Sequence, residues 1–396
     1  MKMSYKMLEG DWFKLPHDLQ HGFFEEAEKE SSRLVEAIES LYNIIKGLDD
    51  IKQLIQPLPL TNKILRVGAI DSSRSPNLSE RLGIRYGVYA VGSIILCGRK
   101  REYEKYVPGI FFRKQAFSEN RSKYLSSLIS TYVERKAALE ILDKCDALIL
   151  DGSFYSFVYT GYKIKKDGYY GGYEKELVER TFDYTEQLRS SGKVFSVIKR
   201  SHTRAIGGYY LLKEGDAKLV NVIDKLILSI LMPERSLFDY RKLIGEYNVG
   251  IFTELAYLAS KSEQRVYDAK KLLEQAENRV LEQFTKLDLP TEPFKGIRRI
   301  QVKMFGEPNV CEIEYPSCTD LNWIIDVVCG ENFFNSSTNL PTILDLVDNE
   351  VNIPSKFTEE FVAEVEGRML EKFFNDPRKR ELIKTFFTAL NPQKPY

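Results

Sequence analysis

Two aspartates follow apolar, strand-like runs: Asp71 after Ile64–Ile70 (ILRVGAI) and Asp151 after Ala147–Leu150 (ALIL). Both sit in the pattern strand–Asp–small–Ser, as Asp71-Ser72-Ser73 and Asp151-Gly152-Ser153. An ionised carboxylate at the end of a buried strand is costly unless a positive charge compensates it. Two of them on neighbouring strands repel each other unless a divalent cation sits between, and hard oxygen donors of this kind suit Mg²⁺ or Mn²⁺. Either aspartate alone reads equally well as a turn or an N-cap residue. The pair, in this strand order, points to a cation. A third carboxylate is expected from the helix before the Asp151 strand, where Glu134, Glu140 and Asp143 lie. Glu134 stands 17 residues before Asp151. That separation leaves roughly two to three helical turns and a short loop, enough to reach the strand end. Glu140 falls roughly 240° further around the helix, so only one of the two serves, and Glu134 is preferred.

The elements that must position these groups follow from hydrophobic periodicity. A first helix is predicted from about Leu19 to Gln56, with Leu34, Ile38, Leu41, Ile44, Ile45 and Leu48 as one apolar stripe. Pro57 and Pro59 close it, and it reads as a packing or dimerisation helix. Strands are predicted at Ile64–Ile70, Tyr86–Cys97 and Tyr106–Phe112, a helix over Glu119–Cys145, and a strand at Ala147–Leu150. A helix near Tyr173–Ser190 then precedes a strand at Val194–Ile198 that runs into Lys199-Arg200. Further on, Leu219–Leu231 reads as a helix, and Thr253–Leu287 as one long charged amphipathic helix, a solvated arm or lid. Ile300–Phe305 and Val310–Tyr315 form a hairpin, and helices near Asp320–Cys329, Pro341–Val351 and Thr358–Ala389 finish the chain. An order β-β-β-α-β-α-β with acids on strand one, the helix and strand four is the ribonuclease H-like arrangement. The expected fold is therefore α/β, a mixed sheet with helices on both sides and added N-terminal, middle and C-terminal helices. One composite domain is expected: a helical segment over 1–57, a core over 58–355 carrying a helical insertion at about 253–287, and C-terminal helices over 356–396.

The 396 residues are 43% hydrophobic, 12% aromatic and 29% charged, which excludes collagen-like, mucin-like and wholly disordered chains. Fifty-seven basic residues balance 57 acidic ones, so a nucleic-acid partner does not follow from net charge; a local basic groove would have to supply it. Five cysteines without a C-x-x-C pair, beside only three histidines (His17, His21 and His202), exclude zinc-finger and disulfide-framework readings. The opening residues lack an apolar signal-peptide region. The longest apolar stretch, Tyr86–Cys97, is far short of the ~20 residues a membrane span needs. A reducing cytoplasmic setting without a membrane is expected.

Five segments carry a family resemblance: AIDSSRS (Ala69–Ser75), the Glu134 helix, LILDGSF (Leu148–Phe154), VIKRSHTR (Val197–Arg204) and LPTILDLVDNEVNIP (Leu340–Pro354). In this order and spacing, from roughly Leu65 to Pro354, the chain resembles the NurA family of DNA-end-processing nucleases. The resemblance implies that Asp71, Glu134 and Asp151 are metal ligands, that Lys199 lies near the scissile phosphate, and that Asp348 completes the site where the family has His or Asp. Leu340-Pro341 stands where Tyr-Pro is usual, and Ser72 replaces a glycine. The resemblance further implies Mn²⁺ or Mg²⁺ as a pair of ions, and 5′→3′ exonuclease activity on DNA ends with single-strand endonuclease activity. It also implies a homodimer working with a HerA-type hexameric DNA translocase in end resection, repair or defence.

Basic residues near the acids, Arg74, Lys199 and Arg200 foremost, fit DNA contacts, with Arg81, Arg85, Arg99, Lys100 and Arg101 close by in sequence. Tyr155, Tyr159, Tyr162, Tyr169, Tyr170 and Tyr173 cluster among Lys163, Lys165 and Lys166. They read either as base-stacking platforms or as a surface loop. His202 reads either as a water-polarising group or as a structural histidine. Two other classes compete. A ribonuclease H-like nucleotide-binding ATPase would want phosphate loops richer in glycine than Asp71-Ser72-Ser73 and leaves Glu134 without a task. A catalytically inactive adaptor that binds DNA or the motor would not need all the candidate acids.

Overall fold

The computed structural model describes residues 15–387 except 62, 82–83, 115–118, 169 and 262–267. The described residues divide into two units, Met1–Gln53 and Leu54–Tyr396. In the first, α1 (His17–Lys46) ends at Gly47, whose N–H bonds back to the carbonyls of Asn43 and Ile44. The short α2 (Asp49–Leu54) follows. The single helix expected to Gln56 is thus broken at Gly47. Its apolar stripe is also unevenly covered: Ile45 and Leu48 are buried, whereas Leu34 and Ile38 are exposed.

In chain order the second unit contains β1 (Ile55–Pro57), β2 (Arg66–Arg74), β3 (Ser79–Arg81), β4 (Ile84–Cys97), β5 (Lys100–Lys114), α3 (Glu119–Ile141), β6 (Ala147–Asp151), α4 (Ser156–Lys166), α5 (Gly172–Ser190) and β7 (Val194–Ile198). Next come α6 (Ala205–Glu214), α7 (Asp224–Leu231), β8 (Ser236–Asp239), α8 (Arg241–Ile244), α9 (Val249–Lys261), α10 (Ala269–Thr285) and α11 (Glu292–Lys295). The unit ends with β9 (Ile297–Lys303), β10 (Cys311–Pro316), α12 (Leu321–Val328), α13 (Thr342–Val351), α14 (Phe357–Lys372) and α15 (Pro377–Phe387).

Among the described residues the strands form one sheet in the order β1-β8-β9-β10-β7-β6-β2-β4, with β3 and β5 both paired to β4. The pairs β2–β6 and β6–β7 are parallel and the others antiparallel. The alternation of a pleated strand explains why the central strands are apolar throughout. Ile70, Leu148, Leu150 and Val194 enter a core with Leu125 and Leu128 of α3, Phe157 and Val158 of α4, and Val178 and Phe182 of α5. Their neighbours Ala69, Ile149, Phe195 and Val197 face the other way, into a core with Ile324 and Val327 of α12 and Leu344 and Val347 of α13. Helices therefore cover both faces, as a mixed α/β chain with a largely buried sheet requires.

Four expectations are corrected. The tyrosine-rich stretch after Asp151 folds as α4, because Phe157, Val158, Gly161 and Ile164 recur at helical spacing and are buried. The single helix over Thr253–Leu287 is two helices: α10 folds back on α9, Arg279 pairs with Glu254 at 3.1 Å, and α9 packs on α6. The apolar content of α9 (Ile251, Phe252, Leu255, Ala256 and Ala259 are buried) makes it part of the body rather than a solvated arm. Helices α14 and α15 replace one continuous C-terminal helix. Finally, β1, β3, β8 and α6 carry too short or too ambiguous a pattern to have been expected.

Candidate metal centre

Asp71 does not end its strand. It pairs with Gly92 of β4, and the antiparallel ladder continues to Arg74 opposite Tyr89. The parallel ladder with β6, however, stops at Ile70 opposite Leu150. Asp71 therefore projects where one neighbour falls away, beside the end of β6 at Asp151. Gly152 then turns the chain with φ of 75°, a conformation that favours glycine, and its N–H bonds to the Val197 carbonyl of β7 at 2.8 Å. One strand further, β7 delivers Lys199. Three parallel strands thus bring Asp71 of β2, the end of β6 and the residue after β7 to one place.

The centre of that place is the Lys199 ammonium. Its Nζ lies 3.2 Å from Asp71 Oδ2, 3.4 Å from Asp151 Oδ2 and 3.1 Å from Asp348 Oδ2. Asp348 arrives on α13, which packs over β2 and β4 and is held at its end by Ile353 N–H donating to Ser73 Oγ at 3.2 Å. Glu134, on α3, completes the group through β2: Ser72 Oγ donates to Glu134 Oε2 at 2.7 Å, and Arg135 pairs with the other oxygen. Asp71 and Glu134 are 3% and 5% exposed, which decides their electrostatics. Burial first, then the charge of Asp151, pushes the Asp71 carboxyl up to about 9, against the pull of Lys199. Burial also raises Glu134, partly countered by Arg135 and by the hydrogen bond from Ser72. Burial works against the Lys199 ammonium, but Asp151, Asp71 and Asp348 outweigh it and keep it protonated.

All five residues singled out for catalysis thus fall in one neighbourhood. Glu140, the alternative on α3, pairs instead with Lys105. Among the expected DNA contacts, Arg200 and Arg74 are exposed, Arg74 donating to the Lys123 carbonyl at 3.4 Å. Arg85 is not available to a groove: it is buried and paired with Glu80. Tyr155 is likewise buried, its hydroxyl donating to Glu186, while Tyr159 and Tyr173 are exposed. Tyr169 lies outside the described residues.

Sequence reasoning missed a buried polar layer beneath the site. Glu314 of β10 accepts from Ser153 Oγ and from Phe154 N–H, both at 2.8 Å, clamping the turn after Asp151. Glu312 accepts from Thr203 Oγ1 at 2.8 Å, clamping the segment after Lys199. Arg299 of β9 joins them, at 2.9 Å from Glu312 and 2.7 Å from Glu314. The signal was present: CEIEYP places two glutamates two residues apart on one strand face, Glu314 opposite Arg299 and Glu312 opposite Gln301 in the hairpin register.

The donor set fits a divalent cation by its chemistry, since Asp71, Glu134 and Asp151 offer only hard carboxylate oxygens and burial opposes the ionisation of Asp71 and Glu134. Among the described residues no group of three or more Asp, Glu, His or Cys side chains is arranged as the ligands of a metal ion. Lys199 takes the central position between the aspartates.

The chain is similar in structure to NurA nucleases. The NurA nuclease from Sulfolobus solfataricus aligns over 87% of this chain and 97% of its own, at 15% identity and a TM-score of 0.49. A NurA structure bound to dAMP and manganese aligns over 90% and 98%, at 13% identity and a TM-score of 0.46. Endonuclease V from Bacillus subtilis aligns over 80% and 90%, at 11% identity and a TM-score of 0.32. No protein-family model and no curated protein matches the chain. Among the described residues no helix is long and apolar enough to cross a membrane.

Proposed function

We propose that the chain is a divalent-metal-dependent DNA nuclease of NurA type. One observation carries the reading: three carboxylates from β2, β6 and α13, far apart in sequence, meet within 3.4 Å of a single ammonium. A fourth, Glu134, is tied to the same strand through Ser72. Carboxylates concentrated in this way raise one another's proton affinity and are held together by added positive charge. The ribonuclease H-like reading of the core is supported by the strand order β5-β4-β2-β6-β7, with β4 antiparallel to β2 and both β6 and β7 parallel to it.

In this reading Asp71 and Asp151, with Glu134 or Asp348, hold Mn²⁺ or Mg²⁺, by our proposal as a pair of ions. Bound there, such ions supply a water of lowered pKa and stabilise charge on the attacking and leaving oxygens of a phosphodiester. The chain's own groups do the rest. Ser72 and Arg135 fix Glu134 in place. Lys199, whose ammonium stands between the aspartates, would neutralise a non-bridging phosphate oxygen. Arg74 and Arg200 extend positive charge along the DNA backbone. We carry over to this chain 5′→3′ action on DNA ends, single-strand endonuclease activity, a homodimer, and partnership with a HerA-type translocase in end resection or defence. The domain limits 1–57, 58–355 and 356–396 and a cytoplasmic setting belong to the same proposal. Incubation of linear DNA with the purified protein and Mn²⁺ tests it: DNA should shorten with the wild type and stay intact with Asp71→Ala. Equal loss with both, or ATP turnover without DNA loss, sinks the reading.

A further inference from the structure

A cleft of about 460 Å³ opens between α4, the segment after β7, α9 and α10. Its size lies in the usual range of ligand sites. Two of its walls follow residues of the carboxylate centre in sequence. His202 stands three residues after Lys199, within roughly 11 Å of extended chain, and α4 begins at Ser156, five residues beyond Asp151. Rings and cations alternate around it. Lys163 lies over the Tyr159 ring at 5.1 Å, and Arg279 over the Tyr257 ring at 6.0 Å. Tyr159 is 48% exposed, and Lys261 also lies over the Tyr257 ring, at 4.8 Å. Lys166 and Arg204 add charge to the wall, and Arg204 Nε is buried there without a hydrogen-bond partner. Of the two lining carboxylates, Glu254 is already paired with Arg279, and Glu282 lies on the α10 side.

Excess positive charge alone would suit any anion. Tyrosine faces spaced between cations suit a chain in which flat rings alternate with phosphates and the rings are unpaired. We propose that this cleft holds single-stranded DNA next to the carboxylate centre, with Tyr159 and Tyr257 stacking on bases and Lys163, Lys166, Arg204 and Arg279 taking the phosphates. The proposal rests on the nuclease reading for the identity of the strand, but its test does not need cleavage. An unpaired strand leaving this cleft past His202 reaches Lys199 along the segment that links them.

The test is fluorescence anisotropy of fluorescein-labelled dT12 with the full chain in EDTA. Tyr159→Ala and Tyr257→Ala should each weaken binding roughly tenfold, while Tyr257→Phe, which keeps the ring, binds as wild type. Lys163→Ala with Lys166→Ala should lower the slope of log K against log salt by about 1.4. Photocrosslinking of a 5-iodouracil strand to the wild type should mark Tyr159 or Tyr257. Wild-type protein that does not bind dT12, alanine variants that bind as wild type, or crosslinks confined to other elements each overturn the cleft. An inactive enzyme whose dT12 binding still depends on Tyr257 keeps the cleft and sinks the nuclease; an active enzyme whose binding ignores both rings does the reverse.

Discussion

Glu314→Gln is the perturbation whose size the structure defines best. The Glu314 carboxylate is 2% exposed, accepts three hydrogen bonds, from Ser153 Oγ, Phe154 N–H and Arg299 Nε, and is ion-paired with Arg299 Nη2 at 2.7 Å. The amide keeps the acceptor facing the turn but sets an NH₂ against the guanidinium, stranding part of a buried charge. Breaking one side of a buried ion pair costs about 3–5 kcal/mol. Arg299 retains Glu312 at 2.9 Å, so the lower figure, about 3 kcal/mol, applies. At about 2–4 °C per kcal/mol the melting temperature should fall by about 6–12 °C. The assay is a double-mutant cycle with Arg299→Met and Glu314→Met, read by thermal denaturation. Each single change leaves a buried charge short of partners, whereas the double change removes both charges of that pair. The double variant should therefore be less destabilised than the sum of the singles by more than about 1 kcal/mol. Hydrogen exchange at the Phe154 amide should accelerate in Glu314→Met. Additivity within about 0.5 kcal/mol, with unchanged exchange at Phe154, would refute the idea that this layer holds the Asp151 turn.

Asp71→Asn removes a carboxyl whose ionisation burial opposes; in EDTA its melting temperature should equal or exceed the wild type's, and the stabilisation that Mn²⁺ gives the wild type should vanish. A variant that still gains from Mn²⁺ contradicts the ligand assignment. Gly92 faces Asp71 in register, and a Cβ there would stand 2.6 Å from Val351 Cγ1 and 2.8 Å from Val347 Cγ2. Gly92→Ala should therefore cost about 1–3 kcal/mol and push α13 and Asp348 off the centre, lowering cleavage beyond what stability explains; activity at wild-type level in a folded variant counts against Asp348. Asp224 is buried where the N–H groups of Ala205 and Ile206 and the Tyr240 hydroxyl bond to it, and burial raises its carboxyl to about 7 from 3.8. The folded state then holds this proton more tightly than the unfolded one. Its contribution is full below about pH 4 and lost by about pH 7, at up to about 1.4 kcal/mol per pH unit. Chemical denaturation at several pH values should show that slope in the wild type and a flatter one in Asp224→Asn; identical slopes reject the assignment.

The strands that build the centre were legible because they are apolar on both faces, with Asp71 the first charged residue after the apolar run of β2, Asp151 the last residue of β6 and Lys199 the first residue after β7. Glu134 was reached from helical spacing, and the structure ties it to β2 through Ser72 while Glu140 pairs with Lys105. Asp348 came from family resemblance alone, since nothing local says that α13 crosses β2 and β4. The layer of Arg299, Glu312 and Glu314 escaped because its partners lie on segments more than 100 residues apart, as Thr203 and Glu312 do. Short edge strands such as β1 and β8 carry only three and four residues, too few for periodicity to register. Helices α9 and α10 were read as one helix because helical spacing runs through both of their sequences.

The central claim, that these carboxylates exist to hold divalent ions, is tested most directly by anomalous diffraction from crystals soaked in Mn²⁺. Manganese should lie within about 2–2.6 Å of carboxylate oxygens of Asp71 and Asp151, with Lys199 Nζ moved out from between them. A soaked crystal in which Lys199 still bridges the aspartates, with no anomalous peak beside them, would contradict it.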